Sequence, residues 1–498
     1  MAVDYAVIIF YLVGMLAVGW WGMRRAKSKS DFLVAGRRLG PPMYSGTMAA
    51  IVLGGASTIG GVGLGYEHGL SGAWLVFTIG FGLLALSVFF SARISRLKVY
   101  TVGQMLDLRY GGSSSVISGL VMWAYTLMLA VTSTIAYATI FDVIFGLDRS
   151  LAIILGGGIV IAYSTLGGMW SITLTDMVQF VVKSVGVLLL LLPIAVYKAG
   201  GIEGMREQLP DDYFSPMSIG VQTVFTYVLI YSFGMLIGQD IWQRVFTARS
   251  DKVARSGGSV AGIYCLVYAI AGALIGMATK ALHPKLDSAD AAFATIVGES
   301  LPIGVKGLVL AAALSAVMST SSGALIACAT VANNDIWKRL RLKSRGADVT
   351  EASTSEEADH SAHDEVRGNR VFILIMGAAV VVISIALNDV VEALTVAYNL
   401  LVGGLLVPIL GGLVWKRGTA AGALAAVAVG GVTVISVMAW KGILANEPIY
   451  YGLLASLVTH VVVSLISKPT DPAVLAAWRA RLAGESQPGT PSDAPAGV

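Results

Sequence analysis

The chain has 498 residues, 56% of them apolar and 13% charged, with a mean hydropathy of +0.77. That balance excludes an ordinary soluble domain, in which roughly a quarter of residues are charged. The net charge of +4 comes from basic residues in short loops between apolar runs and points to no nucleic-acid partner. The two cysteines, Cys265 and Cys328, lie inside apolar stretches and build no disulfide framework. There is no zinc spacing, phosphate loop or nucleophile elbow, so nothing suggests an enzyme or a bound organic cofactor.

Apolar runs of spanning length fall near 3–23, 43–66, 73–92, 115–146, 151–167, 170–197, 218–246, 256–281, 303–333, 369–389, 391–413, 418–441 and 449–467. The expectation is an all-α polytopic membrane protein with 13 transmembrane helices. The first run has no basic region before it and is followed by Arg24-Arg25, which reads as an uncleaved anchor with its N-terminus outside. With that orientation 26 of the 34 Lys and Arg lie on the inner side, as the positive-inside rule requires. The C-terminus is then cytoplasmic and the location is the cell membrane. Residues 344–368 are polar and acidic and read as a mobile cytoplasmic loop. The stretch from Glu485 to Val498 is rich in Pro, Ser and Gly and reads as disorder.

The second run carries Gly54, Gly55, Gly60 and Gly61. Each weakens a helix by about 1 kcal/mol relative to alanine. Together they allow the backbone to unwind and turn carbonyls into a cavity, although close packing of helices through small residues explains them equally well. The sixth run holds Asp176 and Lys183, and charges inside a membrane are costly and functional by default. Lys183 lies about 20 Å along the helix from Trp170, too deep to reach the cytoplasmic side with ease. The seventh run contains Gly234 and Gly238 and ends in Asp240, Gln243 and Arg244, candidates for a gate or an anchor at the inner face. The second and seventh runs each begin a set of five helices, 43–197 and 198–413. Interrupted helices at matching positions of two inverted repeats point to a transport site at the bilayer midplane. The flanks are 1–42, 414–467 and a cytoplasmic tail 468–498, and a cytoplasmic loop, 334–368, lies in the second repeat. The ninth run is crowded with hydroxyls: Ser315, Ser319, Thr320, Ser321 and Ser322. Back-bonding along the helix is the plain reading of such hydroxyls. The adjacent Ser319 and Thr320, with the Ala316 carbonyl one turn earlier, also make part of a shell for a small hard cation.

Several ordered motifs resemble the sodium:solute symporter family. These are Ser30 to Pro41 (SDFLVAGRRLGP), Tyr163 to Ser171 (YSTLGGMWS) with Thr175, Asp176 and Gln179, Gln243-Arg244 with Ala248-Arg249, and Arg417 with Gly422-Ala423. The likeness covers about residues 3–467. It implies a leucine-transporter-type fold, a five-plus-five inverted repeat with extra flanking helices. It also implies symport of sodium and a small organic solute, such as an amino acid like proline, pantothenate or a monocarboxylate, by alternating access in a lipid bilayer.

Matched by motif, the family's sodium ligands fall on Ala50 and Leu53 of the broken helix and on Ala316, Ser319 and Thr320. The Ser-Thr pair is nearest to the sodium/proline branch. Asp176 and Ser322 match a second ion site found in some members, with Gly323 where another hydroxyl is expected. Val52 stands where the sodium/proline branch has an aspartate. Ser232, Gly234 and Leu236 stand where several members have solute-binding aromatics, so solute identity does not transfer. The candidate solute contacts are Gly54, Gly55, Ser57, Thr58, Ser232 and Phe233. One sodium ion moving down about 100 mV supplies roughly 2.3 kcal/mol for accumulation. A rival reading places the Lys183 ammonium where sodium would sit, as in some sodium-independent relatives of the fold, and makes the chain proton-coupled or a uniporter. A transporter-like sensor is the remote alternative.

Overall fold

Inside a bilayer every backbone polar group must be bonded within the protein, which leaves a chain of this composition the helix as its element. The computed structural model describes residues 2–111, 115–286, 288–289, 291–344, 360–387 and 390–485. Among these residues there is no β-strand, only an isolated bridge between Leu39 and Ala248. The main helices are α1 (Ala2–Met23), α2 (Pro41–Val52), α3 (Gly61–His68), α4 (Trp74–Ala85), α5 (Val102–Tyr110), α6 (Ser115–Phe145) and α7 (Arg149–Lys183). There follow α8 (Val221–Ile237), α9 (Gln239–Val245), α10 (Asp251–Leu282), α11 (Val305–Val331), α12 (His360–Ala386) and α13 (Val390–Val414). The last three are α14 (Ala420–Lys441), α15 (Glu447–Ile466) and α16 (Pro472–Ala483).

Among the described residues ten continuous helices are long and apolar enough to cross a membrane, or eleven when α8 and α9, bent by 44°, form one span. The sequence expectation was thirteen. The difference arises where helices run on through tight turns. Helical structure is continuous over Arg149–Lys198, 50 residues. At the helical rise that is about 75 Å, far more than the roughly 30 Å of hydrocarbon. Gly168 interrupts it with φ 55° and ψ −136°, and a Cβ there would lie 2.4 Å from the Phe32 carbonyl oxygen. Gly69, between α3 and α4, has φ 62°, and a Cβ would lie 2.1 Å from the Tyr213 carbonyl oxygen. Both turns demand glycine, because any side chain would need a disfavoured backbone and would strike another segment.

The hydroxyl-rich α11 is the centre of the bundle. Its apolar window is completely buried, and it packs against α6, α7, α1 and α12. By contrast, α1 and α15 bury only 28% of theirs, as helices at the lipid boundary do. Helix α10 lies along α2, α3 and α4. Its crossing with α3 depends on two glycines: a Cβ on Gly276 would sit 2.2 Å from the Val62 carbonyl oxygen, and one on Gly65 2.7 Å from Ala273.

Two segments expected to lie outside the bundle are partly helical. The helix after α11 runs on to Ser344, and α12 already begins at His360, so only 345–359 of the expected 334–368 loop lies outside the described residues. In the tail, α16 is capped by Asp471, whose carboxylate accepts from the Ala473 N–H; it packs on the short helix Ser91–Arg96 and on α5, and its Trp478 is buried. The expected disorder at 485–498 lies outside the described residues apart from Glu485.

Overpacking a helix crossing costs about 1–3 kcal/mol. Gly276→Ala is therefore expected to lower the thermal midpoint of the purified protein by several degrees. Gly158→Ala, which meets no atom within 4 Å, leaves it unchanged.

Candidate functional site

Helix α2 stops at Val52, Leu53 leaves helical geometry with φ −100° and ψ 72°, and helix resumes after Gly55. A helix that ends leaves its last carbonyls without intrahelical partners. Each carbonyl at this break receives a side-chain donor. Ser319 donates to the Ala50 oxygen at 2.8 Å, Thr320 to that of Ile51 at 2.6 Å and Ser57 to that of Val52 at 3.2 Å. Lys183 donates to the Ala50 oxygen at 3.1 Å and the Leu53 oxygen at 2.9 Å. Helix α11 comes this near only because residue 54 is glycine: a Cβ would be 2.4 Å from the Thr320 hydroxyl oxygen.

The five groups matched to sodium are thus brought to one place. The Ser319 hydroxyl bridges the carbonyls of Ala50 and Ala316, at 2.8 and 3.0 Å. The Thr320 hydroxyl is turned to Ile51. On the Ala50 and Leu53 oxygens rests the side-chain nitrogen of Lys183, whose side chain is fully buried and whose Nζ lies 6.0 Å from the centre of the Tyr268 ring. Buried ammonium groups survive when carbonyl dipoles and an aromatic face replace their water.

A second buried basic side chain, Arg244, sits beside α7. Arg244 Nη2 is 3.0 Å from Asp176 Oδ2, with both side chains completely buried. Thr47 donates to the same carboxylate oxygen. The guanidinium lies against Gly323, where a Cβ would be 2.7 Å from Nη2 and 2.8 Å from Nη1. Ser322, matched to a second ion, donates instead to the Ser319 carbonyl at 3.1 Å. Gln243 ties α9 to the segment between α1 and α2 by donating to the Leu33 carbonyl at 2.8 Å.

At the break between α8 and α9, at Gly238, one side chain bonds a carbonyl of the break and another ties the restart of the helix to the 100–102 segment. The indole of Trp242 donates to the Leu236 carbonyl at 2.8 Å. The Gln239 amide accepts from the Val102 N–H at 2.8 Å and donates to the Tyr100 carbonyl at 2.9 Å.

Between the two breaks lies a small cavity, with about 30 Å³ of room for the centres of water molecules. Gly54, Gly55 and Ser57 of the expected solute contacts line it. The other three do not: Thr58 bonds Tyr268 at 2.9 Å, Ser232 donates to the Thr78 carbonyl at 2.6 Å, and Phe233 lies off the lining. Asp240, expected at a gate, lines the cavity. Its Oδ1 accepts from the Tyr125 hydroxyl at 2.9 Å. Lining residues the sequence reading missed include Thr132, Ser133 and Tyr398. The adjacent hydroxyls at 132 and 133 inside an apolar run were a usable signal; Tyr398 offered none.

The model of the sodium:solute symporter family matches residues 32–430. The chain is a member of that family. It is therefore a multi-pass membrane transporter and not an enzyme, and sodium is the coupling ion that membership implies. It is similar to the sodium/proline symporters of Staphylococcus aureus strains JH9 and COL, each 28% identical over 93% of both chains. Its fold is similar to that of a Na+-coupled sialic acid symporter solved in a substrate-bound outward-open state. There the TM-score is 0.79 at 18% identity, over 94% of this chain and 98% of the other. MhsT in complex with L-phenylalanine gives a TM-score of 0.52 at 14% identity, over 86% and 98%. These neighbours have the leucine-transporter-type fold.

Removing one partner of a buried ion pair costs about 3–5 kcal/mol, because the other charge is left uncompensated. Asp176→Asn is expected to lower thermal stability sharply, and Asp176→Asn with Arg244→Met to recover most of the loss in the same melting measurement.

Proposed function

We propose that this protein is a secondary active transporter of a small organic solute, working by alternating access, in which the Lys183 ammonium holds the family's cation seat. The observation that carries this reading is the pair of hydrogen bonds from Lys183 Nζ to the Ala50 and Leu53 oxygens. An ammonium and a sodium ion bring the same charge to the same carbonyls. Two unit charges about 3 Å apart repel by roughly 5 kcal/mol at an effective dielectric of 20. A sodium ion therefore takes the seat only when Lys183 is neutral or has moved away. On this reading a proton or the solute's own gradient drives transport.

Family membership supports the other reading, sodium on Ala50, Leu53, Ala316, Ser319 and Thr320 with the lysine displaced. In both, the solute lies beside Gly54, Gly55 and Ser57, and the inner gate includes Asp176, Gln243 and Arg244. No second ion is assigned to Asp176 and Ser322, since the Arg244 guanidinium already neutralises that carboxylate. Thirteen crossings follow if Arg149–Lys198 turns back at Gly168, α2–α3 and α4 are separate crossings, and α8–α9 is one. The N-terminus is then outside and the C-terminus in the cytoplasm, with repeats at 43–197 and 198–413.

A ligand that binds only the folded form raises stability by mass action. Melting of the wild type is expected to be equal in NaCl and KCl at constant ionic strength. Lys183→Met is expected to gain a saturable, sodium-specific rise that disappears when Ser319→Ala is added. A sodium-specific rise in the wild type, lost in Ser319→Ala, would establish the sodium reading instead.

A further inference from the structure

The strongest unused feature is the chemistry of the cavity wall. Among the described residues lining it, Asp240 is the one carboxylic acid, and no lysine, arginine or histidine joins it. Its side chain is shielded, with the residue 2% exposed, yet it forms no ion pair among the described residues. The neighbouring cations are committed elsewhere. Arg244 points its guanidinium at Asp176 and reaches Asp240 only at the backbone oxygen, 3.4 Å away, while Lys183 rests on the Ala50 and Leu53 carbonyls. The assigned side-chain partner of the Asp240 carboxylate is neutral, the Tyr125 hydroxyl at 2.9 Å.

An aromatic side chain shares the cavity wall with this carboxylate. Tyr398 lines the same cavity and meets the Tyr125 ring edge-on, with centroids 5.5 Å apart, and Tyr231 backs it at 5.3 Å. A carboxylate next to tyrosine faces is the combination that binds an organic ammonium, the first by charge and the second by its quadrupole. Ser133 and Thr132, whose hydroxyl donates to the Met128 carbonyl at 2.9 Å, add hydroxyl oxygens to the same wall. An anion would meet Asp240 with no compensating base in the wall.

We infer that the solute carries a cationic nitrogen, from primary amine to quaternary ammonium, that seats on the Asp240 carboxylate against Tyr398. The inference rests on the reading of this cavity as the solute site. It places simple monocarboxylates outside the range of solutes and includes zwitterions through their ammonium end.

The test is equilibrium binding of radiolabelled choline, L-proline, acetate and glucose to the purified full-length protein. Choline or L-proline is expected to bind saturably, with at least a tenfold weaker Kd in Asp240→Asn and partial recovery in Asp240→Glu. The asparagine oxygen still accepts from Tyr125, so the fold is retained. Tyr398→Leu, which leaves the carboxylate in place, weakens choline binding severalfold. Acetate and glucose do not bind. The inference is overturned if neither choline nor L-proline binds, or if any probe binds equally well to the wild type and Asp240→Asn. The same titrations in NaCl and in KCl keep the two ideas apart. Binding that requires sodium tells against Lys183 as the resident cation while leaving the role of Asp240 standing. Sodium-independent binding that ignores Asp240→Asn removes only the inference about the solute.

Discussion

Interrupting a helix in a place where water cannot reach its carbonyls is the constraint on which the rest of this structure depends. Each unsatisfied group in hydrocarbon costs several kcal/mol. The break after Val52 exposes the carbonyls of Ala50, Ile51, Val52 and Leu53, and each is bonded by a donor from α7, α11 or the restart of the broken helix itself. The position of α11, the glycine at 54 and the depth of Lys183 are all consequences of that need. The second break uses Trp242 to the same end, at the Leu236 carbonyl.

Two cations sit within this interior, and the protein solves their burial in different ways. Arg244 has a full counter-charge in Asp176, so the pair is neutral and holds α9 to α7. Lys183 has carbonyl dipoles and a tyrosine face in place of a carboxylate at hydrogen-bond distance. Dipoles of this kind bind any small cation of suitable size. The chemistry of the seat therefore does not itself distinguish a side chain from a free ion.

Much of this was legible before any coordinates. Clustered glycines marked the first break, paired hydroxyls at 319 and 320 marked the helix that fills it, and the helical rise put Lys183 too deep for the cytoplasm. What could not be read depends on rotation and register. Asp240 looked like an inner-face residue because it ends an apolar run, but the break at Gly238 turns it into the cavity. The number of continuous helices differed from the number of apolar runs because a helix can pass through a glycine turn without a polar loop to announce it. The tail helix was hidden by a polar composition, although Asp471-Pro472 is a good helix start and Trp478 had to be covered. The aromatic side of the cavity is contributed by Tyr398, about 340 residues from the first break, and no local pattern signals a contact over that distance.

On the proposal that Lys183 holds the seat, the cation at the first break is covalently part of the chain. A free ion leaves its seat when the surrounding bath is depleted of it, whereas a tethered ammonium keeps the same local concentration in any solution. Two routes vacate the Ala50 and Leu53 oxygens: loss of the proton from Nζ, or a swing of the four-carbon stem away from them. The stem is packed in a fully buried environment, so the swing requires movement between α7 and the broken helix. On that proposal, occupancy of this seat is set by conformation and protonation rather than directly by the salt on either side of the membrane.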